Sequence, residues 1–207
     1  MFWFVKARTA WYAGEDSFQV SFLIWMSTLQ KSNFQCSNSI ASHFVVKKKL
    51  GVGTFGKVFL GWDGLEKHYV AIKVYEGEKS PIEDMIKEIR IVQQVCHRNN
   101  VELLHVVRQS RNAYPVLIFE FVSERTLYET IPFLTSEEVP RIAHQMLLGI
   151  GHAHSVGVVH NDLKPENIMI ARDRQVLKII DWGLGEIYNK GKRLYWNVLI
   201  HFYFTNP

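Results

Sequence analysis

The chain has 207 residues, 47% of them hydrophobic and 21% charged, with a formal net charge of +4. That composition excludes a disordered or fibrous polymer and leaves room for one sizeable core or two small ones. The charge is too modest to make a polyanion the default partner, and the two cysteines, Cys36 and Cys96, lack metal-ligand spacing and read as reduced intracellular thiols.

Residues 1–40 are rich in aromatics and include the run FLIWM, Phe22 to Met26, which is too short to cross a bilayer. Lys6 and Arg8 precede it, but Glu15 and Asp16 interrupt the region before any apolar stretch. The segment therefore reads as an extension without an assigned role, not as a targeting peptide.

From His43 the pattern changes to short alternating segments broken by glycine. HFVVKKKLGVG, GKVFLGWDG and HYVAIKVY predict three sequential antiparallel strands. The basic run Lys47 to Lys49 falls on the first, where a solvated strand edge accounts for it, so no nucleic-acid partner is expected. Pro81 opens a predicted helix that carries Ile82, Met85, Ile86, Ile89, Val92 and Val95 at steps of three and four. Two more strands are expected, at Leu103 to Gln109 and Pro115 to Val122.

After Ser123 the character becomes helical. Thr135 and Glu138 have capping-box spacing, and Val139, Ile142, Ala143, Met146, Leu147 and Ile150 are predicted to share the inward face, with Pro140 bending the first turn. VVH, NIMI, a turn at Arg172 to Arg174, and VLKII then precede Asp181-Trp182-Gly183.

Several of these segments carry chemistry. Gly51, Gly53 and Gly56 form a GxGxxG pattern, a spacing shared by dinucleotide-binding folds and by hairpins that cover phosphates. The residues after it, KVFLGW, have strand periodicity where a dinucleotide fold needs a helix, which favours the hairpin. Residues without side chains let backbone amides come close to phosphate oxygens. On the third strand a period of two puts Ala71 and Lys73 on one face and Val70, Ile72 and Val74 on the other. Glu88 lies within the apolar stripe of the predicted helix, where a carboxylate is costly without a cation. Lys73 is the expected partner. The loop HNDLKPENIMI then sets an acid, a base and an amide, Asp162, Lys164 and Asn167, within six residues. His152, His154 and His160 have no recognised metal-ligand spacing, and His160 is expected to support this loop without reacting.

Taken in order, the glycine loop, strand lysine, helix glutamate, HxDxKxxN loop and DxG resemble the eukaryotic protein kinases. Within them, DWG and the flow of VCHRNNVELLHVVRQSRNAYPVLIFEFVSE are most similar to the casein kinase II catalytic subunit. The resemblance implies an α+β, two-lobed fold. Residues 41–122 would form a β-rich N-lobe with one helix and the hinge, and residues 123–207 a partial, mainly helical C-lobe that is C-terminally truncated. It implies a serine/threonine protein kinase with ATP and magnesium as cofactors, protein hydroxyls as substrate, a casein kinase II regulatory subunit as partner, no membrane partner, and a location in the cytoplasm or nucleus.

By the same resemblance Asp162 would orient the substrate hydroxyl and accept its proton, Lys164 would neutralise charge on the transferring phosphoryl, and Asn167 and Asp181 would bind the metal. Lys73 and Glu88 complete the expected catalytic set. Gly51, Val52, Gly53 and Gly56 would cover the phosphates, and Val58, Ala71 and Met169 would sandwich the adenine. Phe119 would guard the back of the pocket, Glu120 and Val122 would offer backbone hydrogen bonds, and Ile180 would precede the metal-binding Asp181. Three departures stand against this pattern. Asn161 occupies the place of an arginine, EGEKSPIED replaces a lysine-rich run associated with acidic substrates, and no Ala-Pro-Glu type motif follows LYWNVLIHFYFTNP. They keep open a second reading, a pseudokinase that binds nucleotide or serves as a scaffold without catalysis.

Overall fold

The computed structural model describes residues 43–53, 56–75, 82–107, 116–171, 173 and 175–188. Expectations for the N-terminal extension, for the turn at Arg172 and Arg174, for most of EGEKSPIED and for the segment after Tyr188 lie outside the described residues, as does Cys36. Cys96 is an exposed free thiol. The described residues divide into two compact units, one made of those up to Ile82 together with those of Leu103–Phe121, the other of those of Glu83–Glu102 and those from Val122.

The first unit is a five-stranded antiparallel sheet. Its strands are β1 (Phe44–Gly53), β2 (Gly56–Asp63), β3 (His68–Tyr75), β4 (Leu103–Val107) and β5 (Val116–Glu120), in the order β1-β2-β3-β5-β4. The glycine-broken alternation produces the meander that the sequence predicts. The pleat sorts β3 by parity: Val70, Ile72 and the half-buried Val74 pack with Phe44, Val107, Val116 and Ile118 in one apolar cluster. At the β2–β3 turn, Asp63 Oδ1 accepts from Leu65 N at 2.8 Å and Glu66 N at 3.2 Å, an Asx-type turn that explains why this carboxylate is buried.

The second unit carries α1 (Ile82–Gln94), which buries Met85, Ile89 and Val92, with Val95 just after it, as the periodicity predicts, leaves Ile86 half-buried, and also buries Ile91 and Glu88. A short helix, α2 (Leu127–Thr130), starts at a capping box. The Thr126 hydroxyl accepts from Glu129 N, and the Glu129 carboxylate accepts from Thr126 N at 2.9 Å. The long helix α3 (Glu138–Ser155) is preceded by the same reciprocal pair at Thr135 and Glu138, with Glu138 Oε2 2.9 Å from Thr135 N. It runs on through Pro140, which falls in the first turn, where an amide has no intrahelical acceptor to lose.

The inward face of α3 differs from the predicted one. Ile142, Gln145, Gly149 and Ala153 are buried, whereas Val139, Ala143 and Leu147 are exposed and Met146 and Ile150 half-buried. The reason is polar. Gln145 Oε1 accepts from Asn99 Nδ2 at 2.9 Å and from Leu177 N at 3.0 Å, and its Nε2 donates to Gln175 O. A glutamine that satisfies two buried partners, Asn99 and Leu177, and bonds a third at the surface displaces a more apolar face. The remaining strands are short pairs: β6 (Val158–Val159) with β9 (Glu186–Ile187), and β7 (Ile168–Ile170) with β8 (Leu177–Ile179). Among the described residues no helix is long and apolar enough to cross a membrane.

Candidate active site

In the first unit the glycine pattern closes a hairpin. Gly51 stands opposite Val58, Val52 opposite Lys57, and Gly53 opposite Gly56, so strand follows strand and no helix starts there. This geometry removes the dinucleotide-binding alternative, which requires a helix after the glycines. A Cβ at Gly56 would collide with Val74 O, so only glycine lets β2 start this close to β3. Cross-strand register then places Val58 opposite Lys73, Lys73 opposite Leu117, and Ala71 opposite both Leu60 and Phe119. With a period of two, Val58, Ala71, Lys73 and Phe119 share the sheet face that does not carry the apolar cluster, while Glu120, opposite Val70, belongs to the other. Lys73 is only 7% exposed, and its ammonium lies 5.4 Å from the centroid of the Tyr75 ring.

In the second unit the loop after β6 gathers the predicted polar set. Lys164 Nζ donates to both carboxylate oxygens of Asp162, at 2.8 and 3.1 Å. Asn167 Nδ2 donates to Asp162 Oδ2 and to Asp162 O, both at 2.8 Å. The 3₁₀ turn Pro165–Asn167 makes this possible by folding Asn167 back over Asp162. Because both amide hydrogens of Asn167 are spent on Asp162, its side chain has only its carbonyl oxygen left to offer. The hydrogen bond from Lys164 to Asp162 raises the pKa of Lys164, and the carboxylates of Asp162, Glu166 and Asp181 add to this, so the lysine keeps its charge.

Asp181 is positioned through its neighbour. Ile180 N donates to Asn167 O at 2.9 Å, and Ile180 O lies 2.9 Å from His160 Nε2, while Asp162 N donates to His160 Nδ1 at 3.2 Å. The His160 ring, 3% exposed and against Trp182, thus ties the Asp162 loop to the Asp181 loop. Burial lowers its pKa, against the opposing pull of the Ile180 carbonyl, Asp181 and Asp162. A neutral ring donating from Nε2 and accepting at Nδ1 satisfies both contacts. Asp181 itself has left-handed backbone, φ 57° and ψ 67°.

Each predicted residue of the second unit has a defined place. Met169 is on β7 opposite Lys178, and Ile168, Ile170 and Ile179 around it are core. Val122 follows β5 in irregular structure, and Glu88 is 2% exposed on α1. Two features escape the sequence reading. One is the Gln145 network, signalled only by a polar residue three after Ile142. The other is the contact from Asn161 Nδ2 to Leu184 O at 3.2 Å, for which nothing in the local pattern provides a signal.

Among known proteins, residues 44–207 match the family model described as the protein kinase domain. The chain is also 28% identical, over 174 residues, to a protein of Encephalitozoon cuniculi named probable casein kinase II subunit alpha homolog. The match covers 83% of this chain and 53% of that relative, so the chain spans about half of the relative's length. The five-stranded antiparallel sheet is consistent with that match, and the chain belongs to the protein kinase family.

Proposed function

We propose that the chain is a serine/threonine protein kinase that transfers the γ-phosphoryl group of ATP to hydroxyls of protein substrates. The observation that carries this is the Asp162 carboxylate, fixed on one oxygen by Lys164 and Asn167 together, at 2.8 Å each. A carboxylate held this way is preorganised to take the proton of an attacking hydroxyl, while the adjacent ammonium balances charge on the phosphoryl in flight. The bond from the γ-phosphorus to the bridging oxygen breaks as the bond to the substrate oxygen forms, and ADP leaves.

The donor chemistry of Asn167 and Asp181 fits magnesium. One amide oxygen and one carboxylate suit a hard cation that takes its other ligands from water and phosphate. Among the described residues no group of three or more His, Cys, Asp or Glu side chains could hold a metal alone. Asn167 and Asp181 would hold the ion, which when bound would supply positive charge to neutralise the phosphates. In this reading Gly51, Val52, Gly53 and Gly56 cover the phosphates, Lys73 contacts them with Glu88 as its counter-ion, and Val58, Ala71, Phe119, Glu120, Val122, Met169 and Ile180 receive the adenine. Lys73 and Glu88 are each buried, and a charge away from water needs a partner. Similarity to a casein kinase II alpha homolog supports serine and threonine as acceptors and a regulatory subunit as partner. The proposed location is the cytoplasm or nucleus, where ATP is at hand.

The test is transfer of label from γ-labelled ATP to a generic protein substrate, followed by identification of the phosphorylated amino acid. The chain is expected to label serine and threonine, and Asp162→Ala and Lys73→Met to lose the signal while still melting cooperatively. Equal labelling by all three would remove the assignment. Nucleotide binding without transfer by the unmodified chain would instead favour the non-catalytic pseudokinase.

A further inference from the structure

Asn161 stands where the kinase pattern has arginine, and its contacts give it a task of its own. We propose that Asn161 is a positioning residue whose side-chain amide pins the main chain of the Trp182–Gly185 turn and so fixes the segment that carries Asp181. This rests on the reading of Asp181 as a metal ligand.

The segment from Ile180 to Tyr188 is held at both ends. At its start, Ile180 bonds to Asn167 and His160; at its end, Val159 pairs with Glu186, and Tyr188 N donates to Gly157 O at 2.8 Å. Between these anchors the chain makes the 3₁₀ turn Trp182–Leu184, closed by Gly185 N donating to Trp182 O at 2.9 Å. The Leu184 carbonyl is the group of this turn that Asn161 reaches, through Nδ2 at 3.2 Å. The reach depends on backbone. Asn161 has φ 64°, and Asp181 has φ 57°, both in the left-handed region. Asparagine and aspartate enter that region more readily than other residues with a side chain, because their short polar groups bond locally. Asparagine at 161 therefore meets two demands at once: a left-handed backbone and a short donor aimed at Leu184. A longer side chain enters the left-handed region less readily.

Two variants separate the demands. Asn161→Gly keeps the left-handed backbone and deletes the donor; Asn161→Asp keeps size and backbone but replaces the donor with a carboxylate that repels the Leu184 carbonyl. Amide hydrogen exchange on the full chain without nucleotide reads the effect. In both variants exchange across residues 182–188 is expected to rise about two- to tenfold, the range that follows from losing one hydrogen bond. Protection in α1 should stay unchanged. In the kinase assay the same variants should raise KM for magnesium-ATP more than they lower kcat, since a misplaced metal ligand weakens binding of the metal-nucleotide complex.

Unchanged exchange at 182–188 in both variants would overturn the proposal, as would a rise spread equally over the whole second unit. If one variant fails to melt cooperatively, the other decides. If the parent chain transfers no phosphate, the kinase reading falls while the exchange result still stands or fails by itself.

Discussion

Asp162 shows how far a residue's neighbours in sequence predict its neighbours in space. The spacing of Asp162, Lys164 and Asn167 announces a polar cluster, and the structure closes it through one shared carboxylate oxygen. What the spacing does not show is how His160 supports this loop, by reaching Ile180, twenty residues on, while holding Asp162 N. A second histidine makes a comparable demand. His97 Nδ1 accepts from Asn99 N at 3.1 Å, and its ring stacks on His152 at 5.3 Å between centroids. Burial lowers the pKa of His97 first, and the charges of His152, Arg98 and Lys178 lower it further. Both His97 and His160 are therefore neutral in the fold and take up protons more readily when unfolded. Such groups add stability above their unfolded pKa, about 6.5, and lose it as pH falls below that value toward the folded pKa. The denaturant midpoint should drop between pH 7.5 and pH 5.5, and His97→Gln should flatten part of the drop. An equal slope in both proteins would show that His97 contributes nothing to it.

At the scale of elements, strands and helix starts were legible because their rules are local. Alternation gave β1, β2 and β3, and S/T-x-x-E spacing gave the pair at Thr135 and Glu138. The inward face of α3 was not legible, because its choice rests on Asn99 and Leu177, residues far away in sequence. Helix α2 and strand β9 are not legible for a different reason, being only four and two residues long, too short to show a period. The α3 packing has a sharp test in Gly149. A Cβ there would lie 2.7 Å from Asn100 Oδ1 and 2.9 Å from Ile179 Cδ1, beside an asparagine whose Nδ2 is already bound to Val95 O and Gly149 O. Alanine gains about 1 kcal/mol in helix propensity, whereas overpacking costs about 1–3 kcal/mol. Gly149→Ala is therefore expected to lower stability by up to about 2 kcal/mol in denaturant titration. A rise in stability would mean that α3 packs against the Asn99–Asn100 turn more loosely than described.

For the whole molecule, order along the chain carried more information than any single motif. The glycines alone fit two folds, and the antiparallel register of β1 with β2 separates them. The site residues divide between the two units, Lys73 and the glycine hairpin in the first, Glu88, Asp162, Asn167 and Asp181 in the second. Periodicity could assign each to an element, but periodicity holds no information on which elements cluster, and α1 groups with the unit that follows it. The central claim is that Asp162 acts on the reacting hydroxyl and not on nucleotide binding. Its most direct measurement sets turnover beside magnesium-ATP affinity for Asp162→Asn, which removes the charge and keeps the shape. Turnover should fall at least about a hundredfold, the usual loss for a removed general base, with affinity for magnesium-ATP unchanged. Turnover within a few-fold of the parent, or a loss of affinity as large as the loss of turnover, would contradict the account.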